Sequence, residues 1–224
     1  FILPGFLIYT IFAIIPIFSA MYYSFFEWPG IGEKTFVGLD NFITLFTDET
    51  VAPIFYNALF NNLKYILCIW FVITPVQFIL AYILFIKIRG AQYFKLMLFL
   101  PYVISSTIIG FFTTLIFDPN IGSLNAVIES MGGTRGLWLG DPNMAFKILI
   151  LVVLWQGIGT GMMIFYSDMQ GIPNSLIEAS EMDGANEWVK LTKIIFPMSI
   201  SSFTTNMVMS TIWALAVFDL PFLL

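Results

Sequence analysis

Long apolar segments without charged residues alternate with shorter polar segments along this chain. The charge-free windows cover residues 1–26, 65–86, 96–117, 148–167 and 194–218. A helix needs about 20 apolar residues to cross about 30 Å of hydrocarbon, and each window provides them. Runs such as IIGFFTTLIF do not alternate apolar and polar residues as membrane β-strands do. The pattern therefore predicts five membrane-spanning helices.

These helices predict one domain over residues 1–224, an all-α, polytopic membrane bundle. Its spans are expected near 1–26, 65–86, 96–117, 148–167 and 197–219, with a polar connection at 169–196 that forms short helices between spans four and five. The sequence starts at Phe1 without a charged leader and stops at Leu224 inside an apolar run. We therefore expect a longer protein, with a sixth span that is missing here.

Basic residues indicate which loops face the cytoplasm. The turn after the second window contains Lys87, Arg89 and Lys95, and the connection before the fifth contains Lys190 and Lys193. These two loops lie on the same side of an alternating topology and hold five of the nine basic residues. Because cytoplasmic loops carry an excess of Lys and Arg, both loops are predicted to face the cytoplasm.

Composition points to lipid contact and narrows the possible functions. Charged residues make up only 10% of the chain, against about 25% in a soluble domain. The net charge is −5 and no basic patch is present, so nucleic-acid binding is not expected. The sequence has no histidine and its acids are scattered, which argues against a metal site, a catalytic residue and hence an enzyme. Its one cysteine, Cys68, allows no internal disulfide.

The polar connection before the fifth window has the signals of two short helices. Ser175 and Glu178 fit a capping box, which predicts a helix that starts near Leu176. Gly184 suits the left-handed position that ends a helix. Asn186 suits the N-cap of a second helix that continues into the fifth window. We therefore expect a pair of helices joined at a glycine on the cytoplasmic side.

The first of these helices sets small residues beside apolar ones that we expect to be exposed. The small residues are Ala179 and Ser180, and the apolar ones are Leu176, Ile177 and Met182. Such a surface is typical of a short helix that seats in another protein's groove. The alternative is an ordinary solvated connection, in which the acids only cap the helix and contact water.

The spacing in this connection resembles a motif of the membrane subunits of binding-protein-dependent ABC importers, E-A-A-x-x-x-G followed nine residues later by I-x-L-P. The residues that carry the resemblance are Glu178, Ala179, Ser180, Gly184, Ile194, Phe196 and Pro197. Ser180 replaces the usual second alanine and Phe196 the usual leucine, and both keep a small or apolar side chain. The stretches FVGLDNF, RGAQYFKLMLFLPYVIS and VFDLPF extend the similarity along the chain. They resemble the sugar-type branch, with the maltose and glycerol-phosphate permeases.

The resemblance implies a coupling helix that docks into a cytoplasmic ATPase subunit. The implied coupling residues are Glu178, Ala179, Ser180, Met182, Asp183 and Gly184. This chain has no G-x-x-x-x-G-K-[ST] phosphate loop, so ATP and Mg²⁺ are expected on the partner ATPase and no cofactor on this chain. The implied partners are a second homologous permease in a heterodimer, two ATPase subunits, an extracellular solute-binding protein and membrane lipid. The implied location is the bacterial cytoplasmic membrane, which the chain crosses several times.

The resemblance also implies a path for a sugar or oligosaccharide between the two permeases. The candidates that line it in this chain are Gln156, Gly157, Thr160, Phe218 and Asp219. An ionisable residue in an apolar stretch is a functional candidate, but Asp219 also fits the outer headgroup level. Glycines at 157 and 161 fit either close helix packing or a thin wall beside the solute. A secondary transporter or channel without ATP, and an importer of this family for a non-sugar solute, stay open as alternatives.

Overall fold

The computed structural model describes residues 1–217 and 220–221, and these residues are mostly helical. Contacts divide the chain into two compact units, Phe1–Asn61 and Asn62–Leu224. The predicted all-α membrane bundle is confirmed. The helices in chain order are α1 (Leu3–Tyr23), α2 (Asp40–Thr47), α3 (Val51–Phe85), α4 (Ala91–Val103), α5 (Ser106–Phe117), α6 (Ser123–Ser130), α7 (Pro142–Met169), α8 (Asn174–Met182), α9 (187–198) and α10 (Ile200–Ala216).

In the first unit, a small hairpin follows α1. Its strands, β1 (Phe26–Glu27) and β2 (Thr35–Phe36), are antiparallel. Asn41 in α2 donates its side-chain amide to the backbone carbonyls of Ser24 and Phe26, both at 3.0 Å. The asparagine of the FVGLDNF stretch therefore ties α2 to the chain that leaves the first membrane helix.

The membrane-length helices differ in number from the apolar windows. Helices α1, α3 and α7 are long and apolar enough to cross a membrane, and α4 with α5 adds a fourth if this bent pair counts as one span. The described residues thus give three or four such spans against five windows. The fifth window corresponds to α10, which is 17 residues long. Helix α3 already begins at Val51, before the second window, because a helix continues past the apolar residues that a window detects.

Three helical stretches widen directly before a proline. The π turns are Thr10–Ile14, Ile69–Ile73 and Leu191–Ile195, and the prolines that follow them are Pro16, Pro75 and Pro197. In each stretch, the residue before proline donates its N–H to the carbonyl five residues back. Proline has no N–H and its ring crowds the carbonyl four residues back, so a wider turn relieves the clash. The helices therefore continue past proline with few backbone hydrogen bonds lost.

The third window is divided into two helices. Helices α4 and α5 meet at a bend of 92°, where Ile104 and Ser105 are extended. Pro101 removes one helical donor shortly before the bend. The carbonyl of Ser105 then accepts the N–H of Ile109 and so starts α5. The window predicts one helix over 96–117; the bend instead puts non-helical backbone inside an apolar segment.

The core of the second unit forms where α7 packs against α3 and α4. Gly159 lies so close to α4 that a Cβ there would be 2.6 Å from the carbonyl oxygen of Leu98. A Cβ on Gly161 would overlap the side chain of Gln77 in α3. A Cβ on Gly157 would meet no atom within 4 Å. Close helix packing therefore explains Gly159 and Gly161, because small residues let membrane helices approach.

We expect Gly159→Leu to lower the stability of the protein, because the atoms it meets belong to the backbone of α4. Overpacking of this kind typically costs about 1–3 kcal/mol. The measurement is the midpoint of thermal unfolding of the detergent-solubilised protein. The control is Gly157→Ala. It should leave the midpoint unchanged or raise it slightly, because the helix propensity of alanine is better than that of glycine by up to about 1 kcal/mol. Equal midpoints for the two variants would contradict the packing that we describe.

Candidate functional site

The polar connection between α7 and α10 is ordered as a pair of helices around a glycine. Gly184 follows α8 in the left-handed conformation, with φ of +79°. Its N–H donates to the Glu181 carbonyl at 3.0 Å, and that of Ala185 donates to the Ser180 carbonyl at 2.9 Å. These two bonds form a Schellman motif, which satisfies carbonyls that a helix end leaves free. The predicted left-handed glycine is confirmed.

The start of α8 differs from the prediction. The helix begins at Asn174, and Pro173 occupies the N-cap position without a side-chain cap bond. Ser175 therefore lies inside the first turn, where its side chain is not placed to cap the helix. The predicted capping box of Ser175 with Glu178, and the start near Leu176, are wrong. A local sequence match did not identify which residue precedes the first helical turn.

The start of α9 agrees with the prediction. The Asn186 side chain accepts the N–H of Val189 at 2.9 Å, as an N-cap does. The helix continues through the π turn to Met198, and Ser199 separates it from α10. A capped, nearly continuous helix thus leads from the glycine joint into the last described membrane helix.

Five of the six predicted coupling residues lie on the exposed side of this connection. They are Glu178, Ala179, Met182, Asp183 and Gly184. Met182 is 89% exposed, although it is a large apolar side chain. Ser180 is the exception, since it is 8% exposed and its hydroxyl donates to the Ile177 carbonyl at 2.7 Å. Ile177, expected to be exposed, packs against the core. The small residue at 180 therefore serves packing inside the chain.

A cluster of charges that the sequence analysis missed joins the two short helices. The Lys190 ammonium lies 2.9 Å from a Glu181 carboxylate oxygen and 2.5 Å from one of Glu187. The Tyr82 hydroxyl of α3 donates to the second Glu187 oxygen at 2.6 Å and lies 3.1 Å from the Glu187 carbonyl oxygen. Only the i, i+3 spacing of Glu187 and Lys190 was visible in the sequence. We call Tyr82, Glu181, Glu187 and Lys190 the Lys190 cluster.

Lys190 and Glu187 favour each other's charged forms. The hydrogen bond that Lys190 donates to Glu187 lowers the pKa of Glu187 most, and the hydrogen bond from Tyr82 lowers it further. Hydrogen bonds to Glu187 and then Glu181 raise the pKa of Lys190. The contribution of Glu187 to the free energy of unfolding is therefore present above its unfolded pKa of about 4.3, and it is lost as the pH falls through the lower folded pKa. That of Lys190 is present below about 10.4 and is lost as the pH rises through its folded pKa.

Gln156, a predicted path residue, lies at the bend between α4 and α5. Its side chain is buried, and its amide nitrogen lies 3.3 Å from both the Ile104 carbonyl and the Ser106 hydroxyl. The Ile104 carbonyl belongs to the extended backbone of the bend. A polar group at membrane depth needs a partner within the protein, and Gln156 provides it. The side-chain carbonyl oxygen of Gln156 is buried without a hydrogen-bond partner among the described atoms.

Gly157 and Thr160, two further path candidates, belong to a polar contact among three helices, α3, α7 and α10. The Gly157 carbonyl accepts from the Thr160 hydroxyl at 3.0 Å and from the Gln77 amide of α3 at 2.9 Å. The Gln77 carbonyl oxygen accepts in turn from Asn206 of α10 at 2.9 Å. Gln77 and Asn206 are 5% exposed, and the sequence analysis missed both. In the sequence, each could have been noticed as an amide side chain within a charge-free window.

Phe218 and Asp219, the remaining path candidates, lie outside the described residues. Within residues 1–217 and 220–221, no three His, Cys, Asp or Glu side chains lie close enough to hold a metal ion.

Comparison with known proteins assigns the family. Residues 6–221 match the model of the binding-protein-dependent transport system inner membrane component. The "Probable ABC transporter permease protein YurN" of Bacillus subtilis is 35% identical over all of this chain and 77% of its own length. The "Probable starch degradation products transport system permease protein AmyD" of Thermoanaerobacterium thermosulfurigenes is 32% identical over 98% of this chain and 73% of its own length.

A solved structure has a similar fold. It is a bacterial ABC transporter involved in the import of the acidic polysaccharide alginate, with a TM-score of 0.78 and 23% identity over 93% of this chain and 69% of that one. The chain belongs to the family of binding-protein-dependent transport system inner membrane components. It is a multi-pass membrane permease subunit, in agreement with its apolar helices.

We expect Gln77→Leu and Asn206→Leu each to destabilise the helix bundle, because each leaves a buried amide without its partner. Such a loss costs about 1–3 kcal/mol. The double variant should lose less than the sum, by a coupling of about 0.6–1.7 kcal/mol for a hydrogen bond between membrane helices. Thermal unfolding midpoints of the wild type, the two single variants and the double variant measure this coupling. Thr205→Val, at an exposed neighbouring position, is the control, and purely additive losses would contradict the contact.

Proposed function

We propose that this chain is the permease subunit of an ATP-driven importer and forms half of a translocation path for an oligosaccharide. The observation that carries the proposal is the exposed helix–glycine–helix connection from Asn174 to Met198 in a chain of the importer family. Helix α8 presents Glu178 and Met182 outward, and Asp183 is exposed at its C-terminal end, while both helices are held by caps and ion pairs. A rigid, partly apolar surface of this kind suits docking in a partner's groove.

The partner would be a cytoplasmic ATPase, because the family transports solute with energy that this chain does not supply. The sequence contains no phosphate loop of the G-x-x-x-x-G-K-[ST] type. ATP and Mg²⁺ would therefore bind to two ATPase subunits, whose closure would move α8 and bias the permease between inward- and outward-facing states. A second homologous permease, as a heterodimer, and an extracellular solute-binding protein complete the proposed complex. A similar fold occurs in a transporter crystallised with a periplasmic protein that holds an alginate pentasaccharide.

An oligosaccharide is the solute class that the relatives favour. The AmyD relative is named for transport of starch degradation products, and the similar solved structure for import of alginate. The proposed lining residues are Gln156, Gly157, Thr160, Phe218 and Asp219. Neutral hydrogen-bonding groups near open space at Gly157 suit the hydroxyl groups of a sugar.

Reconstitution of the full transporter in proteoliposomes tests the proposal. We expect uptake of a labelled oligosaccharide only when ATP and the loaded binding protein are both present. ATP hydrolysis should also rise when the loaded binding protein is added. Controls are vesicles without ATP and vesicles without the binding protein. Uptake by this chain without ATP would instead favour a secondary transporter or channel, and uptake of non-sugar solutes alone would overturn the solute class.

A further inference from the structure

We propose that Lys190 is a positioning residue that makes α8, α9 and the cytoplasmic end of α3 move as one body. This inference rests on the proposed function, because it concerns how the coupling connection passes movement to the membrane helices. It differs from the docking surface itself, since Lys190 is buried within the chain. The Lys190 side chain is 10% exposed, whereas those of Glu181 and Glu187 are 55% and 57% exposed.

The geometry gives Lys190 two attachments on opposite sides of the glycine joint. Glu181 belongs to the last turn of α8, and Glu187 to the first turn of α9. One ammonium group contacts both carboxylates, so it bridges the joint at Gly184. Glycine by itself leaves the angle between two helices free to vary. The double ion pair adds side-chain restraints to the two backbone hydrogen bonds of the Schellman motif, and together they restrict the angle between α8 and α9.

The second attachment runs from α9 to the membrane. Tyr82 is 7% exposed and lies near the end of α3, which continues as one helix into the bilayer segment. A tyrosine hydroxyl has one proton to donate, and the shorter contact, at 2.6 Å, assigns it to the Glu187 carboxylate. Hydrogen bonds to ionised acceptors are stronger than neutral ones. Glu187 therefore joins α9 to α3 while its other oxygen holds Lys190.

Burial explains why this ion pair differs from an ordinary surface pair. Exposed ion pairs contribute little, because water and salt screen them. The Lys190 ammonium is held at a mostly buried position, so removing its partners leaves a charge that water solvates poorly. The two carboxylates remain in contact with water, so their separation from lysine costs less free energy. Removal of one acid leaves Lys190 its other partner, whereas removal of Lys190 detaches both acids at once, so the joint is more sensitive to changes at Lys190 than to changes at either acid alone.

The cluster also sorts the acids of this connection into two groups. Glu181 and Glu187 are engaged within the chain. Glu178 and Asp183 are exposed, and no ion pair involving them occurs in the described part of the chain. The family resemblance names Glu178 and Asp183 as coupling residues and gives Glu181 and Glu187 no role. The structure leaves the second pair available to a partner and gives the first pair to positioning.

The test measures sugar transported per ATP hydrolysed by the complete transporter in proteoliposomes. We expect Lys190→Met and Tyr82→Phe to retain more than half of the ATPase activity and to lower the transport ratio at least fivefold and twofold, respectively. Lys190→Arg keeps a charge that reaches both carboxylates and should restore more than half of the ratio. The matched control is Lys193→Met, which removes an exposed lysine of the same helix and should leave the ratio unchanged.

The outcomes separate this inference from the proposed function. A wild-type transporter that needs no ATP overturns the proposed function. An ATP-dependent wild type whose ratio is unchanged in Lys190→Met overturns the positioning role alone. If Lys190→Met fails to assemble, two variants replace it: Glu181→Lys alone, and the charge exchange that combines Glu181→Lys with Lys190→Glu. A transport ratio in the charge exchange that is no higher than in Glu181→Lys alone counts against the inference. Hydrogen exchange of residues 174–190 in the membrane-embedded complex provides a readout independent of transport: the inference expects at least threefold faster exchange in Lys190→Met, and equal rates overturn it.

Discussion

The scarcity of water inside a bilayer requires each polar group there to find its partner in the protein, and the side-chain amide of Gln77 meets this requirement for three helices. It donates to the Gly157 carbonyl of α7, accepts from Asn206 of α10 and itself extends from α3. Gly161 leaves the space that this amide occupies. Because a broken contact would leave unpaired groups in an apolar medium, the three helices are held in one register. The packing of α4 on Gly159 and the support of the bend by Gln156 both depend on the position of α7 that this contact fixes.

Helix α3 connects this polar contact with the helix pair α8 and α9. Gln77 and Tyr82 lie on the same helix, only five positions apart, and Tyr82 holds Glu187. A displacement of α8 would therefore reach α9 through Lys190, α3 through Glu187, and then α7 and α10 through Gln77. Each step is a hydrogen bond or ion pair between named groups, and none requires the glycine joint to bend. In this account the connection moves as a rigid body, and its exposed face is the surface that we propose for docking to the ATPase.

The features predicted from the sequence follow from local rules. Gly184 and Asn186 were identified because a helix end needs a left-handed residue and a helix start needs a side-chain acceptor, and both rules act within a few residues. Charge-free windows located the apolar segments for the same reason. The predicted capping box was wrong because the helix begins at Asn174, two residues before the start that the motif suggests. The bend at Ile104 was missed because its partner, Gln156, is 52 residues away. Contacts across 105 and 129 residues, from Tyr82 to Glu187 and from Gln77 to Asn206, left no local pattern to detect.

The central claim is that α8 and the end of α3 move together when the transporter changes state. Its most direct test is the distance between spin labels at Ile79→Cys and Ser175→Cys, both exposed positions, in a Cys68→Ser background. Electron paramagnetic resonance of the complete transporter would compare the ATP-free and the ATP-bound state. The account predicts the same distance distribution in both states. A distance that shifts or broadens when ATP binds would contradict it, because the connection would then bend at Gly184 or separate from α3.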